Sequence, residues 1–206
     1  MTQEAKPSAS LHSPGLLTGR PVTRLQAWAT RWRFLLALPA VAVLVVFTDR
    51  GPMWPGVAVA LLGELTQLWA SAHLHKNVDL VLSGPYALVR NPMYVGRFLV
   101  GLGLVLLTWR WFLILPYVAG FWFYAQARVL GEEARLREWF GDDYAQYCRA
   151  VRRWLPLPPR QRFSDARWSW EAVRRNHQHR VTAALLLGLA LLKWRVEALG
   201  PLWPVE

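Results

Sequence analysis

Trp111-Phe-Leu-Ile-Leu-Pro-Tyr-Val-Ala-Gly-Phe-Trp-Phe-Tyr-Ala-Gln-Ala-Arg-Val-Leu130 carries a single charge, Arg128, close to its end. A helix crosses a bilayer with about 20 predominantly apolar residues, so this run is long enough to span. Four further apolar runs lie on either side of it: Phe34–Phe47, Met53–Ala72, Met93–Thr108 and Val181–Leu192. In a chain of 206 residues that is 54% hydrophobic, this is more than a soluble core needs. The pattern predicts an all-α fold, a polytopic membrane helical bundle of about five transmembrane helices. Val181–Leu192 is the shortest run before Lys193, and a re-entrant or interfacial helix is its alternative reading.

The formal charge of +11 is sorted by loop and is not spread as a nucleic-acid binder would have it. Of the 24 Lys and Arg residues, five precede the first run, three lie from Lys76 to Arg97 and twelve from Arg128 to Arg180. Arg50 and Arg110 stand alone in the two intervening short loops. The positive-inside rule then predicts a cytoplasmic N-terminus, with Lys76–Pro92 and Gly131–Arg180 on the same side. Trp54, Trp69, Trp109 and Trp111 at the ends of the runs fit interfacial anchoring. The lone cysteine, Cys148, excludes an intrachain disulfide and a Cys-rich metal site, and reads as an incidental small side chain.

Residues 1–21, rich in Ser, Pro and Gly, read as a disordered tail without the apolar region of a cleaved signal. Residues 22–206 form the membrane domain, with its motif-bearing core at 76–156 and amphipathic and membrane helices at 160–200. The first span starts as an Arg-bearing interfacial stretch near Val22, kinks at Pro39 and turns at Asp49-Arg50-Gly51-Pro52. Within the second, Glu64 and Gln67 lie one helical turn apart, and Glu64 faces the protein interior in either a structural or a catalytic role. Gly101-Leu102-Gly103 suits close helix packing. Glu132–Arg153 has Phe140, Tyr144, Tyr147 and Val151 at helical spacing, an amphipathic helix pair broken at Gly141. Phe163–Val173 reads as a further helix lying on the membrane.

Two segments concentrate unusual residues where helices leave the membrane. In Ser83-Gly-Pro-Tyr-Ala-Leu-Val-Arg-Asn-Pro-Met-Tyr94, Pro92 opens a helix and Asn91 stands at its N-cap. Amide N–H groups there could meet an anion, and the rings of Tyr86 and Tyr94 suit an adenine or a cation. A capped loop with interfacial tyrosines is the plainer reading. In the second segment Arg128 and Glu132, four apart, share one helix face, as either an ion pair or a ligand site. Arg128 follows apolar sequence so closely that it needs a partner or an anionic ligand.

The order Ser83-Gly-Pro-Tyr-x3-Arg90-Asn-Pro-Met-Tyr94-x-Gly96, a long apolar span, then Glu132-Glu133-x2-Leu136-x3-Phe140-Gly141-x2-Tyr144-x2-Tyr147-x3-Val151 closely resembles the C-terminal half of the isoprenylcysteine carboxyl methyltransferase and phospholipid methyltransferase family. The resemblance covers about Lys76 to Pro156. It implies an integral membrane enzyme that takes a methyl group from S-adenosylmethionine at a site facing the cytoplasm. The acceptor would be a lipophilic or membrane-associated molecule, a phospholipid amine, a carboxylate or a thiol. Carried over by position, the cofactor contacts are Val78, Asp79, Leu80, Val81, Tyr86, Asn91, Pro92, Met93, Tyr94 and Glu132, and Arg128 orients the acceptor. No metal is implied. Asn91 stands where the family usually has histidine, as in relatives of the bacterial and phospholipid type. That departure implies a bacterial inner-membrane member and weakens the expectation of a prenylcysteine acceptor. A sterol-reductase-like enzyme using NADPH and a non-catalytic membrane protein are the competing readings.

Overall fold

The computed structural model describes residues 41–48, 51–74, 80–157 and 168–200. The chain divides into two units, Met1–Ala37 and Leu38–Glu206, and every described residue belongs to the second. The N-terminal tail, Pro39, Asp49, Arg50, Val78, Asp79 and residues 163–167 of the expected surface helix lie outside the described residues.

All regular structure among the described residues is helical. Residues 41–47 belong to α1. Then follow α2 (Trp54–His73), α3 (Pro85–Leu88), α4 (Pro92–Leu106), a 3-10 turn at Trp111–Leu113, α5 (Ile114–Ala150), α6 (Trp170–Arg175) and α7 (Gln178–Leu199). Pro55, Pro85 and Pro92 each sit in a first turn, where a fixed φ helps and the missing N–H costs nothing.

The closest packing is α2 on α4. A Cβ on Gly63 would lie 2.6 Å from the Gly96 carbonyl oxygen, and one on Gly96 2.7 Å from that of Gly63, so only glycine lets the two backbones meet. Such small-residue seams supply the van der Waals contact that drives helix association where hydrophobicity cannot. Gly103 extends the seam onto Gly56 and Ala60, while Gly101 packs under Tyr117 of α5, so the glycine pair does serve packing. Tyr117 Oη donates to the Phe98 carbonyl at 2.7 Å and ties α5 to α4.

The α6–α7 turn clasps the end of α2. Asn176 Nδ2 donates to the carbonyls of Ser71 (3.1 Å) and Leu74 (3.0 Å). Glu64 is buried between α2 and α7, accepting from Gln178 Nε2 at 2.9 Å, Thr182 Oγ1 at 2.5 Å and Gln67 Nε2 at 3.3 Å. Its carboxylate is thus a bracket between helices.

The span and the polar stretch after it run on as one helix through Arg128 and Glu132, as their shared face predicts, and Ile114–Ala150 is interrupted only at Gly141. Gly131 alone costs about 1 kcal/mol in a helix, too little to stop one flanked by strong helix formers. The break comes at Gly141, whose φ of 47° and ψ of −119° side chains resist. Helix α7 runs for 22 residues, well beyond the apolar run that announced it.

One stretch among the described residues, Trp111–Ala150, is long and apolar enough to cross a membrane, with Pro92–Leu106 a shorter apolar helix. The apolar runs predict about five crossings. Helices α2 and α7 have the length, but Glu64 and Gln67 dilute the first and Lys193, Arg195 and Glu197 the second. The outward faces are nonetheless apolar: Leu62, Leu65, Leu115, Phe123, Leu187 and Leu191 are all exposed. So much exposed apolar side chain marks an interaction with something other than water.

Candidate functional site

The turn at Ser83-Gly84 sets α3 and then α4 running from one end of the bundle, and α5 returns to the same end at Arg128–Leu136. Beyond Gly141 the chain folds back. Tyr144, Tyr147 and Val151 there pack against Leu80, Leu82, Leu136 and Phe140. The folded-back segment is sewn to the α3–α4 turn by main-chain bonds, Arg90 N–H to the Arg152 carbonyl at 2.8 Å and Leu157 N–H to that of Leu88 at 3.1 Å.

Between these elements lies a cavity of about 330 Å³, the lower end of the range for small-molecule sites. Leu80, Val81, Tyr86, Asn91, Pro92, Met93, Tyr94, Arg128 and Glu132 all line it. Two segments more than thirty residues apart are thereby brought together. Val78 and Asp79 lie outside the described residues.

The two neighbouring glutamates face different ways. Glu132 points to the cavity, where Tyr94 Oη lies 3.5 Å from its Oε2. Glu133 is buried and takes a bidentate pair from Arg153, Nε at 2.9 Å and Nη2 at 2.7 Å, with Arg90 Nη1 at 3.7 Å. This charge-assisted fork raises the Arg153 pKa and locks the folded-back segment. Arg128 and Glu132 form no ion pair, although both are on the cavity face.

Asn91 occupies the N-cap position of α4, but its side chain does not cap the helix. Its amide donates to the Arg153 carbonyl at 3.4 Å. The expected free amides at this helix start are also fewer than predicted. Pro92 has none, and the N–H groups of Tyr94 and Val95 both donate to the Asn91 carbonyl, at 3.1 and 3.2 Å. Of the first-turn amides only that of Met93 is left without a main-chain bond, so side chains carry most of any polar recognition of an anion.

Those side chains are largely ones that the motif comparison left unassigned: Arg90, Arg97 and Arg135 join Arg128 in the lining. The guanidinium of Arg97 stands 5.1 Å from the Tyr94 ring centre, a cation–π arrangement. Positions 128, 132, 135 and 136 follow the i, i+4, i+7, i+8 spacing of one helical face, a signal that could have found Arg135 and Leu136. Tyr144 and Tyr147 also reach the lining, which their apolar spacing alone did not suggest. Tyr147 Oη donates to the Tyr86 carbonyl at 2.7 Å. Burial, and then the Glu132 carboxylate, raises the Tyr86 pKa; burial, and then Tyr86, raises that of Tyr147. Both phenols are neutral donors over the whole physiological range.

Next to this cavity an apolar groove of about 470 Å³ runs between α4 and α5, lined by Phe98, Phe121, Trp122 and Trp154 among others, and Tyr94 borders both spaces.

The fold and site define a class, an all-helical protein with a membrane-length helix and a polar cavity near its end. Residues 56–143 match the family model described as phospholipid methyltransferase. That stretch runs from α2 to just past the Gly141 bend and takes in the first motif and the start of the second. Similar curated proteins include the protein-S-isoprenylcysteine O-methyltransferase of Schizosaccharomyces pombe, 40% identical over 85 residues, which are 41% of this chain and 36% of that one. The Xenopus laevis protein of the same name is 34% identical over 143 residues, 58% of this chain and 50% of its own. The nickel-cobalt-cadmium resistance protein NccN of Alcaligenes xylosoxydans xylosoxydans is 29% identical over 83 residues, 35% and 39% of the two chains. The chain thus spans between about a third and a half of the length of these relatives. No solved structure matches it.

Proposed function

We propose that this chain is an integral membrane methyltransferase that moves a methyl group from S-adenosylmethionine to a lipophilic acceptor carrying a negatively charged group. One observation carries the reading: the Tyr86–Tyr94 motif at the start of α4 and the Arg128–Glu132 motif on the membrane-length helix line one cavity. The residues fit the donor. Glu132 would hold its ammonium, an arginine of the wall its carboxylate, and the Tyr86 and Tyr94 rings would flank the sulfonium, with Leu80, Val81, Asn91, Pro92 and Met93 completing the pocket. When bound, S-adenosylmethionine supplies an electrophilic methyl group, and the protein's share is positioning and exclusion of water.

With Arg90 held by Glu133, Arg97, Arg128 and Arg135 still outnumber Glu132 in the lining and favour an anionic acceptor group over an ammonium. The neutral phenols of Tyr86 and Tyr147 offer no base, which an amine acceptor would require and an ionised carboxylate does not. Arg128 would orient that carboxylate, and the apolar groove past Tyr94 would take the acceptor's hydrocarbon. Exposed leucines and the sorting of cations between loops support a bundle embedded in a membrane, with this cavity towards the cytoplasm.

Calorimetric titration of the detergent-solubilised protein should detect S-adenosylmethionine and not NADPH. Radiolabelled donor incubated with host lipid extract should yield label in base-labile methyl esters. Label in base-stable lipid amines would overturn the acceptor class, and absence of donor binding would overturn the enzyme reading.

A further inference from the structure

At the other end of the bundle, between α1 and α7, lies a second apolar groove of about 460 Å³ whose walls include Val41, Leu44, Leu104, Leu185 and Gly188. Among the described residues one charged side chain lines it, Arg195, which is only 7% exposed. Arg195 Nη1 donates to the Thr48 carbonyl at the end of α1, at 2.9 Å. Its Nε and Nη2 are buried with no hydrogen-bond partner. A buried guanidinium with two unmade bonds is expensive, so a ligand that completes them gains what the apoprotein lacks.

From this we propose that the α1–α7 groove binds one anionic phospholipid, its phosphodiester on Arg195 and an acyl chain along the leucine-lined wall. Nε–H and Nη2–H form one edge of the guanidinium fork, the edge that meets two phosphate oxygens at once. Apolar walls select a lipid over free phosphate. Among the described residues the groove's lining includes no carboxylate, so a choline or ethanolamine cation finds no partner there and a net negative headgroup is preferred. The site is separate from the candidate active site: Leu104 near the end of α4 lines it, whereas the active-site cavity gathers at Pro92–Tyr94, about 15–18 Å away along that helix. Its α1 and α7 walls lie outside the matched stretch 56–143, and Leu104 lies within it. The inference rests on the membrane reading and not on methyl transfer.

Native mass spectrometry of the full chain released from detergent, titrated with phosphatidylglycerol or phosphatidylcholine, tests it. The unaltered protein should retain one phosphatidylglycerol and no phosphatidylcholine. Arg195→Gln should lower retention about tenfold. Gly188→Leu fills the groove and leaves Arg195 intact, and a Cβ there meets nothing within 4 Å, so this variant should fold and lower retention similarly. Undiminished retention in Gly188→Leu, or in a folded Arg195→Gln, overturns the site. Equal retention of phosphatidylcholine overturns the headgroup assignment.

Discussion

Tyr147 donates its phenol to the main-chain carbonyl of Tyr86 at 2.7 Å, joining the segment beyond the Gly141 bend to the first motif across 61 residues. Tyr147→Phe removes the donor and leaves a carbonyl short of a partner in a well-packed place. The expected loss is about 1–2 kcal/mol, read as a lower Tm in detergent. Donor affinity should fall with it, since Tyr86 lines the cavity that Tyr147 steadies.

The same two tyrosines set an alkaline limit. Their pKa values are raised above the ordinary 10.0 on folding, so the unfolded chain releases these protons first and the folded one retains them. Their contribution to stability is therefore complete below about pH 10 and declines as pH rises from there towards the folded values. Tm measured from pH 9 to 12 should drop, and the drop should be shallower in Tyr147→Phe, which has one such group fewer. An equal slope in both proteins would show that Tyr147 is not among the protons involved.

Glu132 and Glu133 should separate binding from stability. Glu132→Gln is expected to weaken S-adenosylmethionine binding with little change in Tm, because this side chain faces the cavity. Glu133→Gln should do the reverse, costing about 2–3 kcal/mol as Arg153 and Arg90 lose a buried partner. Matching behaviour of the two variants would mean that the helix face has been misassigned.

Arg128 lies one turn before Glu132, about 6 Å nearer the apolar part of α5. Arg128→Ala should abolish turnover and retain most donor affinity, while Arg128→Lys should restore only part, since an ammonium lacks the guanidinium fork. If Arg128→Ala loses donor binding as severely as Glu132→Gln, Arg128 belongs to the donor site.

Reporter fusions after Arg50 and after Arg160 should land on opposite sides of the membrane, as the loop charges require. Both on one side would discard the orientation proposed for the cavity.

Apolar periodicity was enough to locate α2 and α4 to within two residues, because their ends are written in Pro55, Pro92 and the polar loops beside them. The continuity across Gly131 was legible in the shared face of Arg128 and Glu132, since one glycine weakens a helix without ending it, and so was the break at Gly141. The motif positions lining the cavity were legible as a set. Arg97 was not, because an arginine on a helix is ordinarily a solvated surface charge, and what makes it different is the α4–α5 packing; Arg135 could have been found from its spacing to Arg128. Nor did local spacing reveal that Asn91 turns from its own helix to the Arg153 carbonyl, a contact 62 residues away.

Because α5 passes without interruption from Ile114 to Gly141, its lipid-facing and cavity-facing residues share one angular phase. An added residue between Phe121 and Arg128 would turn everything after it by about 100° and advance it by about 1.5 Å. Arg128, Glu132 and Arg135 would swing off the cavity together, while Glu133 would be torn from Arg153. The helix is in this sense a keyed shaft, more tolerant of exchanged side chains than of a changed residue count.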